Sequence, residues 1–154
     1  MAVNGNAVIS TLDTLIQTCK DRENGYRGAA AAVQDASLVA LFRSYQGQSS
    51  RFATELEDEV RRLGGASRQE GNVAAWFQRG WRNLPATPTG DDMGAVIAAC
   101  ETGEDGAKKN YDRALQGSLP ADVRAVVQRQ ATAIHEAHDR VRSLEVVHRA
   151  HQAY

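Results

Sequence analysis

Apolar positions along the chain recur at helical spacing, and they do so in two related stretches. Residues 15–25 read Leu-Ile-Gln-Thr-Cys-Lys-Asp-Arg-Glu-Asn-Gly, and residues 96–106 read Val-Ile-Ala-Ala-Cys-Glu-Thr-Gly-Glu-Asp-Gly. The common frame is apolar-Ile-x-small-Cys-x-x-x-Glu-(Asn/Asp)-Gly, at a constant offset of 81 residues. In the first copy Ile9, Ile16, Glu23 and Ala30 fall every seven residues, with Leu12, Cys19, Tyr26 and Val33 three places behind them. That spacing predicts a two-row helical seam with Glu23 at a core position. In the second copy Ile97, Glu104 and Tyr111 form one row, and Met93, Cys100, Ala107 and Ala114 the other. A carboxylate in a row that faces a core is costly unless it is paired, protonated or bound to a cation. Glu23 and Glu104 are therefore expected to face the interior as a pair.

The same periodicity predicts four long helices. The first runs from about Asn6 to Val33. The second is capped by Asp35 and continues to Leu63, burying Leu38, Phe42, Tyr45, Ser49, Phe52, Leu56 and Leu63, and Gly64-Gly65 stops it. The third opens at Thr89-Gly90-Asp91-Asp92 and ends near Gln116-Gly117. The fourth follows Ser118-Leu119-Pro120 and turns Val123, Val127, Gln130, Ile134, Ala137, Val141 and Leu144 inward. Between the second and third lies a short helix over about 68–84, started by the capping box Ser67-Arg68-Gln69-Glu70 and ended by Leu84-Pro85; Trp76, Phe77 and Trp81 are read as packing residues. The repeat extends further: Gln46-x-Gln48 resembles Gln128-x-Gln130, and Val60-Arg61-Arg62-Leu63 resembles Val141-Arg142-Ser143-Leu144. The expected architecture is all-α, a single domain over 1–154 built as a hairpin 6–63, a crossover 64–88 and a hairpin 89–149. A crossover of that length can travel along helices of roughly 40 Å, where an up-down-up-down bundle needs only a tight loop.

Composition narrows the function classes. The 154 residues are 42% hydrophobic and 24% charged, with a net charge of −1, which gives no electrostatic case for a nucleic acid or an anionic membrane as partner. No apolar run reaches membrane-spanning length and the N-terminus lacks a signal-peptide pattern, so the expected location is the cytoplasm. Cys19 and Cys100 suit buried thiols in a reducing compartment.

Two hairpins joined by a long crossover, with inward glutamates, is how ferritin-like carboxylate proteins hold a metal pair: one Glu from each of two helices and Glu-x-x-His from each of the others. Glu23 and Glu104 stand where the single glutamates belong. The i, i+3 pairs are instead Gln48 with Arg51 and Gln130 with Ala133. Glu23, Glu104, Gln48 and Gln130 are thus the candidate metal ligands for iron or manganese, but with most of the anionic charge missing. The competing expectation is a structural polar layer, with Glu23 paired to Arg51 and the two glutamines bonded to Glu104 or to a buried water. His135 with His138, and His148 with His151, have a spacing that can share a metal, and are read as a solvated face. No catalytic residue and no cofactor is expected.

Leu12-Asp13-Thr14-Leu15-Ile16, Glu23-Asn24-Gly25-Tyr26, Arg51-Phe52-Ala53-Thr54-Glu55-Leu56, Leu63-Gly64-Gly65, Gly103-Glu104-Asp105, Tyr111, Ala114-Leu115, Leu119-Pro120 and Ala137-His138-Asp139 together resemble the ferritin-like four-helix-bundle family filed as domain of unknown function 2383. The resemblance covers about residues 8–145. It implies a ferritin-like bacterial cytosolic protein linked to stress or stationary-phase conditions, and it brings no established activity and no catalytic residues. The expected function is non-catalytic, through the surface or through self-association as a homo-oligomer, with Gly25, Gly28 and Ala29 to Ala32 and a groove beside Trp76 and Trp81 as contact surfaces. The alternative is a metal-binding protein with an incomplete carboxylate site and, if it is an enzyme at all, a metal-dependent oxidoreductase.

Overall fold

A computed structural model describes residues 5–65 and 93–152, and these residues form four helices and no strand. They are α1 (Gly5–Ala32), α2 (Ala36–Arg62), α3 (Met93–Gln116) and α4 (Ala121–Gln152). The fold is an all-α four-helix bundle. The short helix expected over 68–84, the capping boxes at 67–70 and 89–92, and Trp76, Phe77 and Trp81 lie outside the described residues.

Cross-helix contacts fix the directions. Arg22 and Tyr26 of α1 meet Ser49 and Tyr45 of α2, so these two run antiparallel. Arg22 meets Glu104 and Cys19 meets Tyr111, so α3 is antiparallel to α1 as well. Gln130 reaches Tyr111 on one side and Glu55 on the other, while His138 reaches Asp105, and both place α4 antiparallel to α3. The order is up, down, down, up. Gly65 lies against Ile9 at one end of the bundle, whereas Met93 shares a groove with Leu38 and Asp35 at the other. The chain therefore leaves α2 at one end and re-enters at the opposite end. Packing is most extensive between α1 and α2, then between α3 and α4 and between α1 and α3, and α2 meets α4 only lightly.

The helix ends are chemically specified. The Asp35 side chain accepts from Leu38 N at 3.0 Å and caps α2. At the other end Gly64 takes φ +83°, Gly64 N donates to Arg61 O and Gly65 N to Val60 O, which closes α2 with a Schellman turn. Arg124 donates to the carbonyls of Leu115 and Gly117 and finishes α3.

Inner rows on α2 and α4 follow the periodicity: Leu38, Phe42, Ser49, Phe52 and Leu56, and Val123, Val127, Gln130, Ile134, Ala137 and Val141, are all buried, while Tyr45, Leu63 and Leu144 are half-buried. On α1 one of the two expected rows is displaced. Leu12, Cys19, Tyr26 and Val33 are buried, but their companions are Val8, Leu15, Arg22 and Ala29, one residue ahead of the expected set. Because α1 packs on both α2 and α3, it buries a broad arc that also takes in Ile16 and Ala30. Position 23 falls on the edge of that arc. The low-relief stretch serves this same packing: Gly25, Ala29, Ala30 and Ala32 are buried within the bundle, so they do not form the outer contact surface expected of them.

Replacing Gly64 by alanine forces a Cβ into the left-handed region and is expected to lower stability by about 1–2 kcal/mol. Urea unfolding of the purified protein checks this, with an unchanged midpoint counting against the Schellman closure.

Candidate functional site

The interior is organised around a charge pair. Arg22 of α1 and Glu104 of α3 are both 0% exposed, with Arg22 Nε donating to Glu104 Oε1 at 2.5 Å. Tyr26 Oη donates to the same oxygen at 2.6 Å. Arg22 Nη1 donates to Ser49 Oγ of α2 at 2.8 Å, and Ser49 Oγ in turn donates to the Tyr45 carbonyl. The guanidinium lies over the rings of Tyr26 and Tyr45, 5.3 and 5.4 Å from their centroids, within reach of cation–π attraction. Three helices thus converge on one cation. In the duplicated frame Arg22 corresponds to Gly103 and Glu23 to Glu104, so the first copy supplies the cation and the second the carboxylate.

A second branch brings in the fourth helix. Tyr111 Oη donates to Gln130 Oε1 at 2.7 Å and lies 3.1 Å from Cys19 Sγ, and since its single proton is committed to Gln130, the thiol is the donor to Tyr111. Gln130 Nε2 donates to the Phe52 carbonyl and to Glu55 Oε1, and Arg129 holds Glu55 at the surface. Asn110 of α3 donates to Thr18 Oγ1 of α1 at 3.0 Å, which further sets the α1–α3 register.

Burial governs the titration of this interior. It pushes the Cys19 thiol up to about 12. It raises Cys100 too, where the Glu104 charge adds to the effect. Tyr26 is raised by burial and then by Glu104, and Tyr111 by burial and then by Cys19. Burial works against the charge on Arg22, but its neighbours, led by Glu104, outweigh it and hold the guanidinium more firmly protonated than usual. Thiols and phenols here are neutral at pH 7, and neither cysteine is an activated nucleophile.

The four residues read from the sequence as metal ligands are not gathered into one layer. Glu104 and Gln130 are buried, but Gln130 bonds Tyr111, Phe52 and Glu55 rather than Glu104. Gln48 is half-buried. Glu23 corrects the expectation most sharply: it stands at the rim of α1, half-buried, with Arg27 Nη2 3.4 Å from its Oε2. It does not meet Arg51, which is exposed and reaches back along its own helix towards Gly47. The broad buried arc of α1 turns position 22 inward and leaves 23 at its margin.

The histidines also differ from the expected solvated face. His138 is 4% exposed, with Nε2 2.6 Å from Asp105 and Nδ1 3.2 Å from Asp139. His135 pairs with Asp112 at 2.8 Å and is half-exposed. His148 is half-buried against Gly94, and the His151 side chain lies outside the described residues. Each histidine of the 135/138 pair faces its own aspartate, and among the described residues no group of three His, Cys, Asp or Glu could hold a metal. A carboxylate-held metal pair does not fit this interior: the Oε1 of Glu104 is already shared by a guanidinium and a phenol, and a divalent ion there would stand against Arg22.

These observations define an all-α bundle with a salt-bridged polar core. The chain belongs to the family described as Domain of unknown function (DUF2383), whose model matches residues 7–117. That span covers α1 to α3 and ends before α4, so Leu119-Pro120 and Ala137-His138-Asp139 lie beyond it. No curated protein matches the chain.

Removing one member of the pair leaves the other charged and buried, so Arg22→Met is expected to cost about 3–5 kcal/mol. The double variant Arg22→Met/Glu104→Met should recover most of that loss. Urea denaturation of the two variants checks it, and equal losses in both would refute the pairing. A second expected outcome concerns the thiols. In the native protein at pH 7, Cys19 and Cys100 should resist a thiol-specific reagent over the time in which urea-unfolded protein reacts fully at both.

Proposed function

We propose that this protein is a non-catalytic, ferritin-like bacterial protein, associated with stress, that acts through its surface or by self-association. One observation carries the reading: the Glu104 carboxylate, the best candidate for chemistry in the sequence, is neutralised by Arg22 of the same chain inside the core. Around it the thiols and phenols are held protonated by burial, so no side chain of this network is poised as acid, base or nucleophile near neutral pH. The up-down-down-up order with one long crossover supports the ferritin-like part. The bacterial and stress-linked parts rest on the resemblance of the residues quoted above, and a cytoplasmic location rests on the two free, buried cysteines. No helix of the described residues is long and apolar enough to cross a membrane.

The second reading is a weak iron or manganese site with Glu104 and Gln48 among its ligands. In its favour, Glu104 Oε2 and Gln48 Oε1 are buried acceptors that lack a donor. The adjacent guanidinium weighs against it.

Elemental analysis of protein purified without chelator, beside melting curves with and without Fe²⁺, Mn²⁺ and Zn²⁺, separates the readings, because a ligand that binds only the folded state raises its melting temperature. The expected result is no stoichiometric metal and unchanged melting. Metal near one per chain, lost in Glu104→Gln, would replace the first reading by the second. Sedimentation over a wide concentration range tests self-association, and a strict monomer at the highest concentration would remove that part.

A further inference from the structure

The Arg22–Glu104 pair is incomplete in a specific way. Arg22 Nε and Nη1 are satisfied, by Glu104 Oε1 and Ser49 Oγ, but Nη2 is buried without an acceptor. Glu104 Oε1 receives two donors, while Oε2 is buried with none. Nη2 lies on the same edge of the planar guanidinium fork as Nε, and Oε2 on the same carboxylate as Oε1, so the two orphans belong to the two halves of one ion pair.

We infer that this layer holds one resident water molecule, bridging Arg22 Nη2 and Glu104 Oε2. Nη2 offers N–H donors and Oε2 an acceptor, the complement of a water that accepts from the one and donates to the other. Buried waters make about two to four such bonds. Leaving these groups bare instead would forfeit the hydrogen bonds that each makes to water in the unfolded chain. A neutral guest is required, because a cation would meet the guanidinium and an anion the carboxylate. The competing solution is a rotation that joins Nη2 directly to Oε2 as a bidentate fork. The guanidinium is not free to make it: Ser49 holds Nη1, the rings of Tyr26 and Tyr45 lie against its plane, and Tyr26 pins Oε1.

The test is a high-resolution crystal structure of the wild-type chain together with oxygen-17 relaxation dispersion in solution, which counts long-lived internal waters. The crystal structure is expected to show a water within hydrogen-bond distance of both Arg22 Nη2 and Glu104 Oε2. In solution, Arg22→Met/Glu104→Met should hold one long-lived water fewer than wild type. A direct Nη2–Oε2 bond with no water in the layer overturns the inference, as does an unchanged count in the double variant. Should the double variant fail to fold, the wild-type crystal structure decides alone.

Discussion

A buried guanidinium and a buried carboxylate, brought together from two helices far apart in sequence, set the terms for the rest of this bundle. Taking each charge out of water costs several kcal/mol, and only close pairing with further hydrogen bonds offsets it. That requirement acts as a constraint on geometry. Arg22 must meet Glu104 and Ser49 at once, with Tyr26 on the carboxylate, so α1, α2 and α3 have one relative height at which all bonds close. Sliding α3 by a turn would strand both charges in an apolar interior. Leucine and alanine packing alone would tolerate such a slip far more easily.

The second branch extends the constraint to α4. Tyr111 is fixed by Cys19 and Gln130, and Gln130 crosses to the Phe52 carbonyl and Glu55 on α2. This matters because α2 and α4 pack only lightly against each other. Where apolar contact is sparse, Gln130 from inside and the Arg129–Glu55 pair from outside tie the seam. The exposed ion pair adds little by itself, since such pairs are worth about 0–1 kcal/mol. Gln130 carries more, because its amide is buried and every bond it makes would otherwise be an unmet polar group.

How far the sequence reveals this depends on how many sides of a helix are covered. The inner rows of α2 and α4, the Asp35 cap and the Gly64 stop follow directly from spacing and local chemistry, and Glu104 stands out as a carboxylate in an apolar row. Arg22 does not stand out. A two-row seam is too narrow for a helix that buries this arc, and an arginine flanked by Asp21 and Glu23 looks like part of a solvated surface. Val8, Leu15, Arg22 and Ala29 nevertheless repeat every seven residues as regularly as Ile9, Ile16, Glu23 and Ala30. His138 is hidden for a similar reason. Its burial depends on Asp105 coming across from α3, a contact that no local pattern on α4 announces.

The duplication makes the asymmetry of the core instructive. Two equivalent copies placed antiparallel would offer equivalent residues to each other across the α1–α3 seam. Had position 23 been as buried as position 104, two carboxylates would have approached in one low-dielectric layer, and they would have needed a shared proton or a cation between them. The chain avoids that demand by breaking the repeat at one step. Arginine stands at 22 where the other copy has Gly103, and Glu23 lies outside with Arg27 while Glu104 turns in. The cation that the carboxylate needs is therefore supplied by the backbone's own sequence, tethered and always charged. A tethered guanidinium cannot change valence, leave or exchange. A core built this way fixes the relative positions of the helices through a cation that stays with the chain.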